Sequence, residues 1–367
     1  MHFTIQREAL LKPLQLVAGV VERRQTLPVL SNVLLVVEGQ QLSLTGTDLE
    51  VELVGRVQLE EPAEPGEITV PARKLMDICK SLPNDALIDI KVDDAKLVVK
   101  AGRSRFTLST LPANDFPTVE EGPGSLKFEL VQSKLRRLIE RTSFAMAQQD
   151  VRYYLNGMLL EVSAGVLRAV ATDGHRLAMC SMTADIEHAD RHQVIVPRKG
   201  ILEMARLLTE QDGMVSIVLG QHHIRATTGE FTFTSKLVDG KFPDYERVLP
   251  KGGDKLVLGD RQALREAFSR TAILSNEKYR GIRLQLANGQ LKIQANNPEQ
   301  EEAEEEIGVE YNGASLEIGF NVSYLLDVLG VMTTEQVRLI LSDSNSSALV
   351  QESDNDDSAY VVMPMRL

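Results

Sequence analysis

The chain says nearly the same thing three times, and any fold it adopts must accommodate that period. The first copy reads Leu42-Ser-Leu-Thr-Gly-Thr-Asp48-Leu, the second Leu167-Arg-Ala-Val-Ala-Thr-Asp173-Gly and the third Leu291-Lys-Ile-Gln-Ala-Asn-Asn297-Pro. Asp48 and Asp173 are 125 positions apart, and Asp173 and Asn297 are 124 apart. A second phrase keeps step, with Phe106 and Phe231 again 125 apart, each followed by Asp115-Phe116-Pro117 or Lys241-Phe242-Pro243. Val70-Pro71-Ala72-Arg73-Lys74, Val196-Pro197-Arg198-Lys199 and Phe320-Asn321-Val322 give a third register. Solenoid units run ~20–50 residues, so this period marks whole domains. It predicts three domains of one fold, residues 1–125, 126–252 and 253–367.

The periodicity predicts an α+β architecture, with two helices and several antiparallel strands in each repeat. Helices are expected over 7–24, 72–81, 132–142, 198–210, 260–280 and 321–334. Pro13 should sit near the first turn of its helix or kink it. Strand-like runs include 33–37, 41–45, 51–59, 87–92, 96–101 and 105–110, separated by turn residues such as Glu38-Gly39 and Asp93-Asp94. Linkers are expected at Thr118–Ser125 and Leu249–Asp254, both turn-rich and poor in core residues.

The formal charge of −12 argues at first sight against nucleic acid. Its distribution argues otherwise. The six helical stretches hold nineteen Lys or Arg against ten Asp or Glu, a net +9, which leaves −21 for the rest. One reading is that Lys and Arg are simply good helix formers. The other is a basic helical surface on an acidic body. The two cysteines, Cys79 and Cys180, offer neither disulfide framework nor zinc spacing, and a reducing cytoplasm is expected. No apolar run suggests a signal peptide or a membrane span.

Three such domains in a row leave an unpaired sheet edge at each end, and exposed edges invite association. Phe106-Thr-Leu108 alternates like an edge strand. Head-to-tail closure with a second copy is the usual solution. The acidic run Glu299–Glu306 reads as a solvated strand face, a charge-matched interface or a metal trap. The interface reading needs basic partners, which Lys74, Arg103 and Arg105 would supply.

No phosphate-binding loop, nucleophile elbow or His-Glu-x-x-His zinc motif is present in the sequence. His188-Ala-Asp-Arg-His192 has helical spacing but reads as a solvated loop, and His222-His223 as a strand pair with one ring outward. The segment Thr172-Asp-Gly-His-Arg-Leu177 is the most singular. Asp-Gly is a turn signal, yet His175 and Arg176 have no counterpart in the other repeats. Gln148-Gln149-Asp-Val-Arg152-Tyr153-Tyr154 mixes amide, cation and adjacent aromatics, suited to nucleic acid. A strand start with one Tyr buried is the other reading.

The triple repeat, Ala-Thr-Asp-Gly-His-Arg-Leu-Ala, Val-Pro-Arg-Lys-Gly, Lys-Phe-Pro-Asp-Tyr and the ending Tyr-Val-Val-Met-Pro-Met-Arg-Leu together resemble the bacterial DNA sliding clamps, the beta subunits of DNA polymerase III. The resemblance covers the whole chain. It implies a non-catalytic, cofactor-free and metal-free homodimer, a six-domain ring around duplex DNA that tethers the polymerase. Polymerase subunits, clamp-loader subunits and repair proteins would bind through short peptides. The peptide cleft would comprise Leu155, Thr172, Gly174, His175, Arg176, Leu177, Pro243, Arg247, Val248, Asn321, Tyr324 and Ser347. The tail Val361, Val362, Met363, Pro364, Met365, Arg366 and Leu367 would complete it. Arg24, Arg73, Gln149, Tyr153, Tyr154, Arg198 and Lys199 would touch DNA. Lys74, Arg103, Arg105, Phe106, Leu108, Ile273, Leu274, Glu301 and Glu304 would form the dimer seam. Tyr279 stands where a Phe is expected, and Ala272 is smaller than expected. Two other classes fit parts of the sequence: a metal-dependent enzyme using the acidic run, and a scaffold that binds peptides but not DNA.

Overall fold

The computed structural model describes residues 1–22, 27–119, 122, 124–186, 190–209 and 211–366. It contains two compact units. One comprises Met1–Arg136 with Lys199–Leu237, the other Arg137–Arg198 with Val238–Leu367. Each holds one eight-stranded and one four-stranded antiparallel sheet.

In the first unit, strand Val51–Gln58 of the first repeat pairs with Phe231–Lys236 of the second, Leu53 opposite Phe233. In the other, Arg176–Thr183 of the second repeat pairs with Ser358–Val362 of the third, Leu177 opposite Val361. The second repeat thus gives four strands to each large sheet. Its strands complete sheets begun by its neighbours because unpaired backbone groups at a buried edge are costly.

Six α-helices occur among the described residues: α1 (Arg7–Val20), α2 (Ala72–Ser81), α3 (Gln132–Thr142), α4 (Arg198–Leu207), α5 (Arg261–Thr271) and α6 (Val322–Val331). Four of the expected spans were too long. α1 stops at Val20, with Val21 already extended. α4 ends at Leu207, and α6 begins after Asn321, whose side chain caps Ser323 N–H. The expected helix 260–280 ends at Thr271 and passes through one 3-10 turn, Ala272–Leu274. Beyond it Asn276 Oδ1 accepts from the N–H groups of Lys278 and Tyr279, a local bond that competes with the helix. Pro13 lies at the seventh position of α1, in its second turn. Its missing N–H leaves the Ala9 carbonyl without a helical donor. The helix is held by burial of Leu10, Leu14, Val17 and Val20.

α1 packs on α2 and on strand Gln41–Thr47. Gly46 permits this approach, since a Cβ there would stand 2.7 Å from the Val17 carbonyl oxygen. The two Phe-Pro phrases serve as matching anchors. Phe116 is buried with Val29 and Leu30, and Phe242 with Tyr245 and Leu159.

Several helix cations serve the fold. Arg7 Nε donates to the Cys79 carbonyl at 3.0 Å and Arg261 Nε to the Thr334 carbonyl at 2.9 Å, so the first residue of one helix closes the end of the next. Arg141 lies inside, paired with Glu352 at 2.7 Å, the side chains 6% and 1% exposed. These three belong to the framework, which corrects the reading of the whole helical surplus as surface.

Two smaller expectations also change. His192 opens strand His192–Pro197, not a loop, while His188 lies outside the described residues. His222 sits in an exposed turn and His223 begins strand His223–Thr228. The linker expected over Thr118–Ser125 is two residues shorter, because strand Gly124–Val131 already contains Gly124 and Ser125.

Candidate functional site

The turn at 172–176 is built by its own side chains. Thr172 Oγ1 donates to the Arg176 carbonyl at 2.6 Å and accepts from Gly174 N–H at 3.1 Å. Asp173 Oδ1 accepts from the N–H groups of His175 and Arg176. Thr47 and Asp48 make the same four bonds in the first repeat, so the turn reading of Asp-Gly is right for its backbone. What differs is the cargo. Gly174, at φ +88°, takes the place of Leu49, and His175 and Arg176 follow it.

Arg176 is held from four sides, its side chain 12% exposed. Nε pairs with Asp173 at 3.1 Å, Nη1 bonds Asp327 of α6, and Nη2 donates to the Phe144 carbonyl at 3.0 Å. Its guanidinium also lies over the rings of Phe144 and Tyr324. Burial pushes the Tyr324 hydroxyl up, and Asp173 and Asp327 add to the shift.

The tail joins at the same place. Arg176 and Leu177 pair with Val362 and Val361, and Met363 N–H donates to the His175 carbonyl at 3.0 Å. Met365 N–H then reaches the Gly319 carbonyl at 2.9 Å. Leu177 and Val361 share a buried cluster with Leu159, Val170, Ile195, Phe242 and Tyr245, against which Tyr154 and Leu349 pack. Leu155 and Val362 are buried, Met363 is exposed, Pro364 and Met365 are half-buried and Arg366 is exposed. Leu367 lies outside the described residues.

Segment 242–248 forms a neighbouring wall. Phe242 and Tyr245 point inward, leaving Pro243, Arg247 and Val248 exposed. Tyr245 is fixed by a buried polar group: its hydroxyl donates to Glu161 Oε1 at 2.9 Å and accepts from Arg168 Nη1 at 2.8 Å. Burial drives the Glu161 carboxyl up, but hydrogen bonds from Gln193, Arg191 and Tyr245 leave it below the usual carboxylate range. An open groove of about 520 Å³ follows, lined by Arg247, Val248, Leu249, Pro250, Ser346 and Ser347 among others. Asn321 and Tyr324 stand at the start of α6, both half-buried.

The structure thus joins Thr172, Gly174, His175, Arg176, Leu177, Tyr324 and the tail through Met363 by direct contacts, and sets Arg247, Val248 and Ser347 along one groove. It adds Phe144, Asp327 and Glu161, which no motif marks; Asp327 reaches Arg176 across 151 residues of sequence.

The residues expected to meet DNA fall in both units. In the first unit, Arg73 is exposed on α2, while Lys199 Nζ donates to the Val20 carbonyl at 3.1 Å and pairs with Glu22 at 2.8 Å and with Asp48. In the other unit, Gln149 adopts φ +57° on an exposed loop. Tyr153–Leu155 is a 3-10 turn rather than a strand start; Tyr153 is 57% exposed, and Tyr154 turns toward the buried cluster. Arg198 Nη1 donates to the Met146 carbonyl. Arg24 lies outside the described residues.

Within the first unit, strand Ser104–Ser109 is a sheet edge, with Arg103, Arg105 and Lys74 exposed, Phe106 half-buried and Leu108 buried. Within the other, strand Glu302–Gly308 is likewise an edge. Glu304 is paired with Lys292 at 2.9 Å and Glu305 with Arg270 at 2.6 Å, while Glu301 accepts from Asn297. Ile273 is 75% exposed and Leu274 half-buried beside it. Among the described residues no group of three or more His, Cys, Asp and Glu is arranged to hold a metal ion.

Three family models match in succession: the N-terminal domain of the DNA polymerase III beta subunit over residues 1–120, its central domain over 129–244 and its C-terminal domain over 246–366. The chain belongs to the beta sliding clamp family. The beta sliding clamp of Pseudomonas putida is 92% identical over 367 residues, and that of Escherichia coli K12 is 56% identical, both chains covered in full in each case. The solved sliding clamp of Pseudomonas aeruginosa bound to griselimycin is 89% identical, with a TM-score of 0.98 and complete coverage of both chains. As a sliding clamp the protein is a processivity factor, the non-catalytic beta subunit of DNA polymerase III. No helix among the described residues is long and apolar enough to cross a membrane.

Proposed function

We propose that the second and third repeats jointly present a peptide-binding cleft, and that paired copies of the chain carry it around duplex DNA. The observation that carries this reading is the pairing of Leu177 with Val361, which sets the His175-Arg176 turn beside the C-terminal tail. Walls of Leu155, Thr172, Gly174, His175 and Arg176, of Pro243, Arg247, Val248 and Ser347, and of Asn321, Tyr324 and 361–367 receive short motifs from polymerase, clamp-loader and repair proteins. The exposed Met363 and half-buried Met365 suit several different sequences in one site.

The three clamp domains are taken as 1–125, 126–252 and 253–367. Two chains close head to tail into a ring, edge Ser104–Ser109 of one against edge Glu302–Gly308 of the next. Arg103, Arg105 and Lys74 face the acidic strand there, and Phe106, Leu108, Ile273 and Leu274 pack the seam. Arg24, Arg73, Gln149, Tyr153, Tyr154, Arg198 and Lys199 contact the phosphate backbone. Contacts that do not read bases let the ring slide. The cytoplasm is the compartment that such a task requires.

Topology tests the reading. Clamp loaded on closed circular duplex should stay bound at high salt and leave when the circle is cut. Retention that falls steeply with salt on both circular and linear DNA would show a groove binder instead.

A further inference from the structure

Two surfaces that the sequence treats separately meet at one residue. The loop carrying Gln149 and Tyr153 touches the cleft turn through Arg152. Asp150 fixes the guanidinium, accepting from Nε at 3.0 Å and from Nη2 at 2.9 Å. Nη2 also reaches the Asp173 carbonyl at 3.4 Å. The guanidinium covers Gly174 so closely that a Cβ there would lie 2.9 Å from Nη2. A second contact lies nearby: the Tyr153 ring sits 3.6 Å from the Cβ position of Gly240, two residues before the buried anchor Phe242.

The loop is exposed and locally strained, with Gln149 at φ +57°. Asp150 N–H to Asn156 Oδ1 and Asn156 Nδ2 to the Asp150 carbonyl, each 2.9 Å, brace its base together with Ala147 N–H to the Leu155 carbonyl at 3.0 Å, and the Arg152 N–H and guanidinium both bond Asp150, so the contact with Gly174 moves with that pair. Hydrogen bonding from Arg152 holds the Asp150 carboxyl down at about 2, so the pair is ionised at any physiological pH.

We propose that Arg152 is a positioning residue that couples DNA contact to peptide binding. DNA held by Gln149 and Tyr153 orders the loop, and Arg152 thereby fixes the 172–176 turn. A peptide seated against that turn orders the loop from the other side. Whichever ligand binds first meets the ordering cost, so the second binds more tightly. Thermodynamic linkage requires the same factor in both directions. The inference rests on the assignment of Gln149 and Tyr153 to DNA and of the turn to the cleft.

The test uses the full-length protein, a short primed duplex and a synthetic peptide bearing a polymerase clamp-binding motif. Anisotropy gives the duplex Kd with and without saturating peptide, and the peptide Kd with and without duplex. In the unaltered protein each ligand should tighten the other about 5-fold. In Arg152→Ala the factor should fall to about 1, a change that simple loss of cleft shape would not produce. A factor unchanged in Arg152→Ala, or one at or below unity in the unaltered protein, overturns the proposal. If Arg152→Ala does not fold by thermal unfolding, Arg152→Lys is read the same way, since Lys keeps the charge but not the two-pronged bond. Failure of the underlying assignments looks different: Gln149→Ala with Tyr153→Ala would leave duplex affinity unchanged, or His175→Ala would leave peptide affinity unchanged.

Discussion

The guanidinium of Arg176 lies 4.5 Å from the centre of the Tyr324 ring, so a cation from the second repeat rests on an aromatic from the first turn of α6. Asp173 and Asp327 complete its surroundings. Arg176 therefore shapes the proposed cleft, and each of its partners is a handle for testing that role. Arg176→Ala should weaken a polymerase peptide by about 10- to 100-fold, roughly 1.4–2.8 kcal/mol. Arg176→Lys should recover little, because an ammonium cannot reproduce the planar stack and the paired bonds. Peptide titration by fluorescence anisotropy decides it, and full recovery by Lys would count against the stacking role.

The tail is attached by strand pairing up to Val362 and by single backbone bonds beyond it. Truncation after Val362 should abolish peptide binding and leave the dimer intact by sedimentation. Retained peptide affinity would remove the tail from the cleft.

The buried Arg141–Glu352 pair should matter for stability far more than any surface pair. Burial drives the Glu352 carboxyl up, yet hydrogen bonds from Arg141 and Thr333 outweigh it and leave it below the usual range. A carboxyl depressed in the folded state adds stability that is complete above its unfolded value, about 4.3. That stability is lost as pH falls through the folded value. Glu352→Ala strands Arg141 and should cost about 3–5 kcal/mol near neutrality. The difference from the unaltered protein should shrink in acid, as chemical denaturation at a series of pH values would show. A difference that does not vary with pH would mean that the pair is not the cause.

Arg73 and Lys199 should behave differently on DNA. Arg73 is exposed on α2, whereas Glu22 and Asp48 already neutralise much of Lys199. Arg73→Ala should lower the slope of log affinity against log salt by about 0.9, one phosphate contact. Lys199→Ala should lower it by less than half as much while reducing the melting temperature. Equal slopes for both variants would show that Lys199 is released from its partners on DNA.

The sequence alone determined the threefold period, the existence of all six helices, the strand character of Ser104–Ser109 and the motifs of the sliding clamps. These are local patterns: a turn, a helix face or an alternating strand is written within a few residues. It also singled out His175-Arg176 and the tail, since both depart from the repeat. Only the tertiary structure decided what the charges do. Arg141, Arg7 and Lys199 look alike in the sequence, yet one is buried against Glu352, one closes α2 and one is tied to Asp48. Each partner lies 72 or more residues away. The tertiary structure also decided that the second repeat divides its strands between two sheets, because hydrogen bonding between distant strands leaves no local mark. Arg152 belongs to the same class: its neighbours in sequence suggest nucleic acid, and only the fold sets it on Gly174.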